Sequence, residues 1–172
     1  MSERLLIPIV FTSSAYYAPY MAVTIQSVMD SSSEEYDYEL IILHKEIDKK
    51  TQSRLMNMIS EHINFSIRFY EVKEALDQHN YNFREGYSPE SFYRVVMVDL
   101  LTEYDKVVYL DCDLIVKHDI ARLYIDTELG NNLVAAAIDI DGLASSFSNH
   151  DGSCLLHVVH RMLRIILLSA AF

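Results

Sequence analysis

Two hydrophobic periods alternate along this chain of 172 residues. Short apolar runs without polar interruption predict strands buried on both faces of a sheet, whereas apolar residues that recur every three or four positions predict helices. The predicted strands are Leu6–Thr12, Tyr38–His44, Phe65–Tyr70, Lys106–Leu110 and Leu133–Ile138. The predicted helices are Tyr20–Met29, Lys49–Glu61 with Asp48 as its N-cap, and a helix that opens at Ser88 and runs to Leu101. This alternation indicates an α/β fold, in which a mostly parallel sheet is covered by helices.

Ligand sites in such sheets have a predictable position. Right-handed crossovers bring the carboxyl ends of the strands to one edge, and ligands bind there. The segments that follow Phe11, Leu110 and Ile138 are therefore the first candidates for function. The polar stretch Val72–Glu85 shows neither period and is predicted to be irregular.

Charge and cysteine content exclude several classes of function. The formal net charge is −11, from 14 Lys+Arg against 25 Asp+Glu. Non-specific nucleic-acid binding needs basic side chains to neutralise phosphates, so nucleic acid is not an expected partner. A polyphosphate ligand would need a metal cation between like charges. Two cysteines, Cys112 and Cys154, make neither a disulfide framework nor a zinc cluster. No segment is long and uncharged enough to predict a transmembrane span.

Two carboxylates follow the fourth predicted strand. Asp111 and Asp113 stand at i and i+2, and in extended chain such residues point to the same face. Two ionised carboxylates at one point repel each other unless a cation lies between them. Mg²⁺ or Mn²⁺, which prefer oxygen ligands, would meet that need. The alternative is a solvated turn after a strand.

The surrounding motifs resemble those of glycosyltransferase family 8. This family comprises retaining enzymes with the GT-A fold and includes bacterial lipopolysaccharide galactosyl- and glucosyltransferases. The resemblance is strongest at Lys106–Val116 (Lys-Val-Val-Tyr-Leu-Asp-Cys-Asp-Leu-Ile-Val). It also includes Ile7–Phe11, Tyr17–Ser27, Ser91–Arg94, Asp119–Tyr124 and Ala135–Asp139. It implies a Rossmann-like GT-A domain that binds a nucleotide sugar over residues 1–141, followed by an atypical apolar tail over 142–172 and no acceptor lobe.

The resemblance implies roles on the donor side of the site. In the family, the Asp-x-Asp pair binds Mn²⁺, which holds the diphosphate of a UDP-sugar, and Asp111 and Asp113 occupy those positions with Cys112 between them in the nucleotide-sugar site. An Arg on the preceding helix reaches the donor sugar or phosphate, and Arg94 matches it. An Asp after the next strand lies near the sugars, and Asp139 matches that position. Arg94 and Asp139 are the catalytic candidates.

The resemblance also implies a base pocket. Tyr17 matches the tyrosine that stacks on uracil, and the preceding Thr12 and Ser13 line the nucleotide pocket. Many family members carry an acidic residue and an Asn just before this tyrosine, where this chain has Ser14-Ala15-Tyr16. Ser14 could still hydrogen-bond to the base. The implied partners are a UDP-sugar donor, either UDP-glucose or UDP-galactose, and a saccharide or lipid-linked saccharide acceptor. The implied location is the cytoplasm, either free or peripherally associated with the inner membrane.

The end of the chain differs from the rest. All 25 acidic residues lie at or before Asp151, and 154–172 is mainly apolar. A final amphipathic or buried helix and an abnormal ending both fit this pattern. Later family segments, with a third metal ligand and a Lys at the diphosphate, have no match here. The expected activity is therefore hexose transfer from a UDP-sugar, with retention and metal dependence, impaired in this chain.

Two alternatives to an active transferase stay open. One is a nucleotide-binding remnant without catalysis. The other is a phosphatase of the haloacid dehalogenase type, which also has Asp-x-Asp after an apolar strand. That class needs a downstream Lys, and no Lys follows Lys117.

Overall fold

A computed structural model of the chain describes residues 4–78, 90–136 and 164–168. The elements in chain order are β1 (Leu6–Ser13), α1 (Ala18–Ser31), β2 (Asp37–His44), α2 (Lys49–Ile59), β3 (Phe65–Glu71), α3 (Lys73–Gln78), α4 (Glu90–Leu100), β4 (Lys106–Leu110), α5 (Ile120–Asp126), β5 (Val134–Ala136) and β6 (Arg164–Leu168).

The six strands form one sheet in the order β3-β2-β1-β4-β6-β5, and all the recorded pairings are parallel. The predicted α/β fold is confirmed. The first four predicted strands and the three predicted helices are all present, with ends that differ by at most two residues. The fifth is present as β5, and Ile138 lies outside the described residues.

Apolar burial on both faces holds the central strands in place. In both β1 and β2, every residue except the first of the strand is buried. Ile9 and Phe11 belong to the core beneath α1, α2 and α5, whereas Val10 belongs to the core beneath α3 and α4. The alternation of side chains along a strand produces this division. β1 therefore has helices on both of its faces, and only its first residue, Leu6, is exposed.

Two short helices were not predicted from the sequence. α3 occupies part of the stretch that was predicted to be irregular. It forms because Val72 and Leu76 are four positions apart and both are buried, so one turn of helix covers the core there. α5 begins after Asp119, whose Oδ1 accepts the Ala121 N–H at 2.9 Å as an N-cap. Asp119 also accepts the Tyr38 hydroxyl at 2.7 Å and the Ser33 N–H at 3.2 Å.

The apolar end of the chain contains a strand, where a helix was one of the two alternatives from the sequence. β6 lies between β4 and β5, with Ile166 paired to Val108 and to Ala135. Sequences of interior parallel strands are typically unbroken apolar runs, and Ile165–Leu168 is such a run. The helix alternative is therefore wrong for Arg164–Leu168, and β6 belongs to the same sheet as β1–β5.

No helix within the described ranges combines the length and the apolar character that a membrane crossing requires.

His44 closes the carboxyl end of β2 from inside the protein. It is 5% exposed, and its Nδ1 accepts the Ile47 N–H at 3.2 Å. Burial lowers the pKa of His44, Glu71 opposes that shift, and Lys49 adds to it. The folded protein therefore favours the neutral ring, whereas the unfolded chain takes up a proton near pH 6.5. The resulting stability is complete above pH 6.5 and is lost as the pH falls below it.

We predict that His44→Asn flattens the pH dependence of stability on the acid side. The free energy of unfolding of the wild type should fall as the pH drops below 6.5, with a slope through this histidine of at most about 1.4 kcal/mol per pH unit. Urea unfolding at several pH values measures it. His62→Asn, at an exposed histidine, is the control and should keep the wild-type slope. Equal slopes for His44→Asn and the wild type would contradict the assignment.

Candidate functional site

The ends of β1 and β4 lie side by side. Ile9 pairs with Val108 and Val10 with Tyr109 in parallel, so the segments that follow β1 and β4 leave the sheet at the same edge. The Sγ of Cys112 lies 3.5 Å from the carbonyl oxygen of Thr12. The structure thus brings together the segments that follow the first and fourth strands, as predicted for ligand-binding loops of such a sheet.

The two carboxylates sit in a turn. β4 ends at Leu110, and Cys112 and Asp113 form the turn that follows. The extended i, i+2 geometry used for the prediction therefore does not apply, because the strand stops before the pair begins. Asp111 is half-buried and Asp113 is exposed. The turn thus directs Asp113 towards solvent, whereas Asp111 stays against the sheet edge.

The chemistry of this pair fits a hard divalent cation. Carboxylate oxygens are the ligands that Mg²⁺ and Mn²⁺ prefer. Within residues 4–78, 90–136 and 164–168, no group of three or more His, Cys, Asp or Glu side chains could hold a metal ion. Two carboxylates leave most coordination positions open, as is usual where Mg²⁺ shares its shell with water and substrate phosphates.

Cys112 contributes a neutral thiol. Burial, with a contribution from Asp113, raises the pKa of Cys112 to about 11. The thiolate is the form that binds metals and attacks electrophiles, so this thiol is inert at neutral pH. Its sulfur instead lies against the Thr12 carbonyl between the two strands.

Side chains of α1 form hydrogen bonds with the backbone of the turn and of the chain that follows it. The Thr24 hydroxyl lies 2.9 Å from the carbonyl oxygen of Cys112 and 2.8 Å from that of Leu114. The Ser27 hydroxyl accepts the Val116 N–H at 2.9 Å. The role of neither residue was predicted from the sequence. Their signal is two hydroxyl side chains three positions apart beside the apolar stripe of α1 that contains Ile25.

The residues after β1 are buried at this edge. Thr12 is 6% exposed, and its Oγ1 lies 2.7 Å from the Tyr109 hydroxyl. The Ser13 hydroxyl donates to the Ser14 carbonyl oxygen at 3.0 Å, and that oxygen also accepts the Ala18 N–H at 3.1 Å. The Thr12 and Ser13 hydroxyls thus form hydrogen bonds within the protein, and these residues form the buried floor beneath the carboxyl ends of β1 and β4.

Tyr17 lies at the entrance to α1, next to this floor. It is the N-cap residue of the helix, and its side chain is 44% exposed. Its ring centroid lies 5.4 Å from that of Tyr16 and 5.8 Å from that of Tyr20, so three exposed tyrosines form one aromatic cluster. An exposed ring at the carboxyl edge of the sheet is accessible for stacking on a planar ligand.

The two catalytic candidates fall wholly or partly outside the described residues. Arg94 belongs to α4, and the described structure does not include its side chain. Asp139 lies outside the described residues. Both roles stay predictions.

Comparison with known proteins relates this site to one family. The model of glycosyl transferase family 8 matches residues 8–161, which is most of the chain. A curated Haemophilus influenzae protein named as a glycosyltransferase is 24% identical over 131 residues, 76% of this chain and 38% of the relative.

Solved structures share the fold. The bifunctional glycosyltransferase WbbM superposes with a TM-score of 0.70 at 28% identity, over 83% of this chain and 24% of WbbM. An active-site mutant of LgtC gives a TM-score of 0.59 at 25% identity, over 77% of this chain and 46% of LgtC. The galactosyltransferase LgtC, in complex with donor and acceptor sugar analogs, gives a TM-score of 0.60 at 24% identity, over 85% of this chain and 53% of LgtC.

The chain thus spans about half the length of LgtC or less, and smaller shares of the other two relatives. Its parallel sheet is the GT-A sheet of these enzymes, and its two acidic residues stand at the end of the fourth strand. On the extent of the family match, this chain belongs to glycosyltransferase family 8.

Proposed function

We propose that the chain binds a UDP-sugar at the β1–β4 edge and serves hexose transfer with retention of configuration. The observation that carries this proposal is the convergence of two loops at one sheet edge. One loop brings the exposed ring of Tyr17, and the other brings the Asp111–Asp113 turn. A flat hydrophobic surface beside an anionic pair suits a ligand with a planar base and a diphosphate bridged by a cation.

The electrostatics of the chain support a metal-dependent site. A protein of net charge −11 repels a diphosphate, and the turn itself adds two carboxylates. Mn²⁺ or Mg²⁺, when bound, would neutralise the charge that develops on the leaving diphosphate. Asp111 and Asp113 would hold that ion.

The proposed roles of the remaining residues rest on the family. Thr12, Ser13 and Ser14 would form the floor under the base. Arg94 would reach the donor sugar or its phosphate, and Asp139 would lie near the sugars. LgtC, whose structure contains donor and acceptor sugar analogs, supports a saccharide acceptor here. A UDP-glucose or UDP-galactose donor and a role in lipopolysaccharide synthesis would follow, in the cytoplasm or at the inner face of the membrane.

A UDP-release assay with UDP-glucose and UDP-galactose tests the transfer itself. Metal-dependent release, faster with an added saccharide acceptor, supports a transferase. UDP binding that depends on metal, without release, would support the alternative of a nucleotide-binding protein without catalysis. Family membership argues against the phosphatase alternative, and release of inorganic phosphate from phosphate monoesters would be its signature.

We predict that Asp111→Asn and Asp113→Asn each remove metal-linked UDP binding. Loss of a charged ligand should weaken UDP in Mn²⁺ by about 100-fold or more, because even outer-shell changes cost 10–100-fold. Calorimetric titration of UDP with Mn²⁺ and with EDTA measures the difference.

The control for the carboxylate variants is Asp105→Asn, which makes the same charge change at an exposed position before β4 and at the opposite edge of the sheet. It should bind UDP as the wild type does. Wild-type affinity in both turn variants would refute the metal site.

We predict that Tyr17→Ala weakens UDP by about 1–3 kcal/mol through loss of one stacking contact. Inorganic diphosphate has no base, so its affinity in Mn²⁺ should not change. Tyr17→Phe retains the ring and should bind UDP within about twofold of the wild type. Equal losses for UDP and diphosphate would show that Tyr17 acts on something other than the base.

A further inference from the structure

We infer that Thr24 and Ser27 of α1 are positioning residues, which hold the Asp111–Asp113 turn in the conformation that receives the cation. The inference rests on the proposed function, and it adds two residues that do not themselves contact the ligand. It also gives α1 a function beyond packing, because this one helix then positions both Tyr17 and the Asp111–Asp113 turn.

Thr24 joins two carbonyl groups of the turn. Its side chain is fully buried, and its hydroxyl approaches the carbonyl oxygens of Cys112 at 2.9 Å and Leu114 at 2.8 Å. A hydroxyl has one proton to donate, and the two turn carbonyls share it at these distances, whereas the Tyr20 carbonyl oxygen of α1 is farther away at 3.4 Å. Both carbonyls must therefore point towards α1, and the intervening Asp113 stays on the outer side, where it is exposed.

Ser27 extends this attachment by one step. Its hydroxyl donates to the Thr24 carbonyl oxygen at 2.7 Å and accepts the Val116 N–H at 2.9 Å. The turn and the chain after it are thus tied to α1 at the carbonyls of 112 and 114 and at the amide of 116. These bonds set the peptide planes that flank Asp113 and Leu114, and hence the direction in which the Asp113 carboxylate leaves the backbone.

The same helix begins at the proposed base contact. Tyr17 is the N-cap of α1, and Thr24 lies two turns further along the same rigid element. The spacing between the tyrosine and the carboxylates is then fixed by a helix and not by two independent loops. Order that exists before the ligand binds reduces the entropy lost on binding, so the attachment should strengthen the metal-linked part of UDP affinity.

Three variants of α1 and one control isolate this role. Thr24→Val removes the hydroxyl and keeps the shape, Thr24→Ser keeps the hydroxyl, and Ser27→Ala removes the acceptor of the Val116 amide. Ser31→Ala is the control, because the Ser31 hydroxyl bonds to carbonyls of α1 itself, at 2.8 Å to Ser27 and 3.3 Å to Val28.

The first measurement needs neither metal nor ligand. Amide hydrogen exchange at Val116, followed by NMR in EDTA, reports the attachment of the chain after the turn. Ser27→Ala should raise the exchange rate by about tenfold, the equivalent of one net hydrogen bond. Ser31→Ala should leave it unchanged.

The second measurement separates positioning from general stability. Thr24→Val and Ser27→Ala should each weaken UDP in Mn²⁺ by about tenfold. Uridine binding, which involves no diphosphate, should keep its wild-type affinity in both. Thr24→Ser should restore UDP affinity to within about twofold of the wild type.

The outcomes distinguish this inference from the proposed function. A wild-type protein without metal-linked UDP binding would overturn the proposed function, and this inference with it. Metal-linked binding in the wild type, together with unchanged UDP affinity in Thr24→Val and Ser27→Ala, would overturn the inference alone. An equal loss of uridine and UDP affinity would also overturn it, because it would indicate general damage. If Thr24→Val does not fold, Ser27→Ala at its half-buried position decides the question.

Discussion

The parallel pairing of β1 with β4 is the constraint on which the site depends. Both strands are buried on both faces, and neither can shift its register without moving apolar side chains out of two cores at once. Because the faces are covered by helices, chemistry is restricted to the strand ends. The loops after Ser13 and Leu110 are therefore neighbours as a result of packing, before any ligand is considered.

The polar groups at this edge are divided between inward and outward directions. Thr12, Cys112 and Thr24 turn their polar atoms inward, where they satisfy buried carbonyl and hydroxyl groups. Tyr17 and Asp113 remain exposed. A buried polar group without a partner is costly, so the inward set stabilises the loops while the outward set stays available to a ligand.

Much of the fold was predictable because it is encoded locally. β1, β2, β4, α1 and α2 follow from apolar periodicity within single segments, and Asp48 caps α2 as predicted, with the Thr51 N–H at 2.7 Å. β6 was not, because a short apolar run suits a helix as well as a strand, and only its neighbours β4 and β5 decide.

The site was predictable only in part. The sequence predicted that the segments after the first and fourth strands share one edge, which the pairing of β1 with β4 confirms. The attachment of the turn to α1 was not predictable, because Thr24 is separated from Cys112 by 88 residues and from Leu114 by 90 residues in the sequence. The turn was named from the sequence as the alternative, but the metal pair was predicted from the extended geometry of a strand beyond Leu110, where β4 has already ended. Local patterns contain no information on such long-range hydrogen bonds.

The position of β6 also affects how the sheet can assemble. β5 precedes β6 in the chain, but β6 lies between β5 and β4. During synthesis, β5 emerges with no partner, and the outer edge of β4 stays unpaired until residue 168 has left the ribosome. Open edges of this kind are where other chains add as extra strands. The strands β1, β2, β3 and β4 can pair with one another early, whereas β5 can pair only after β6 has been synthesised. The part of the sheet formed by β5 and β6 is therefore the more prone to misassembly.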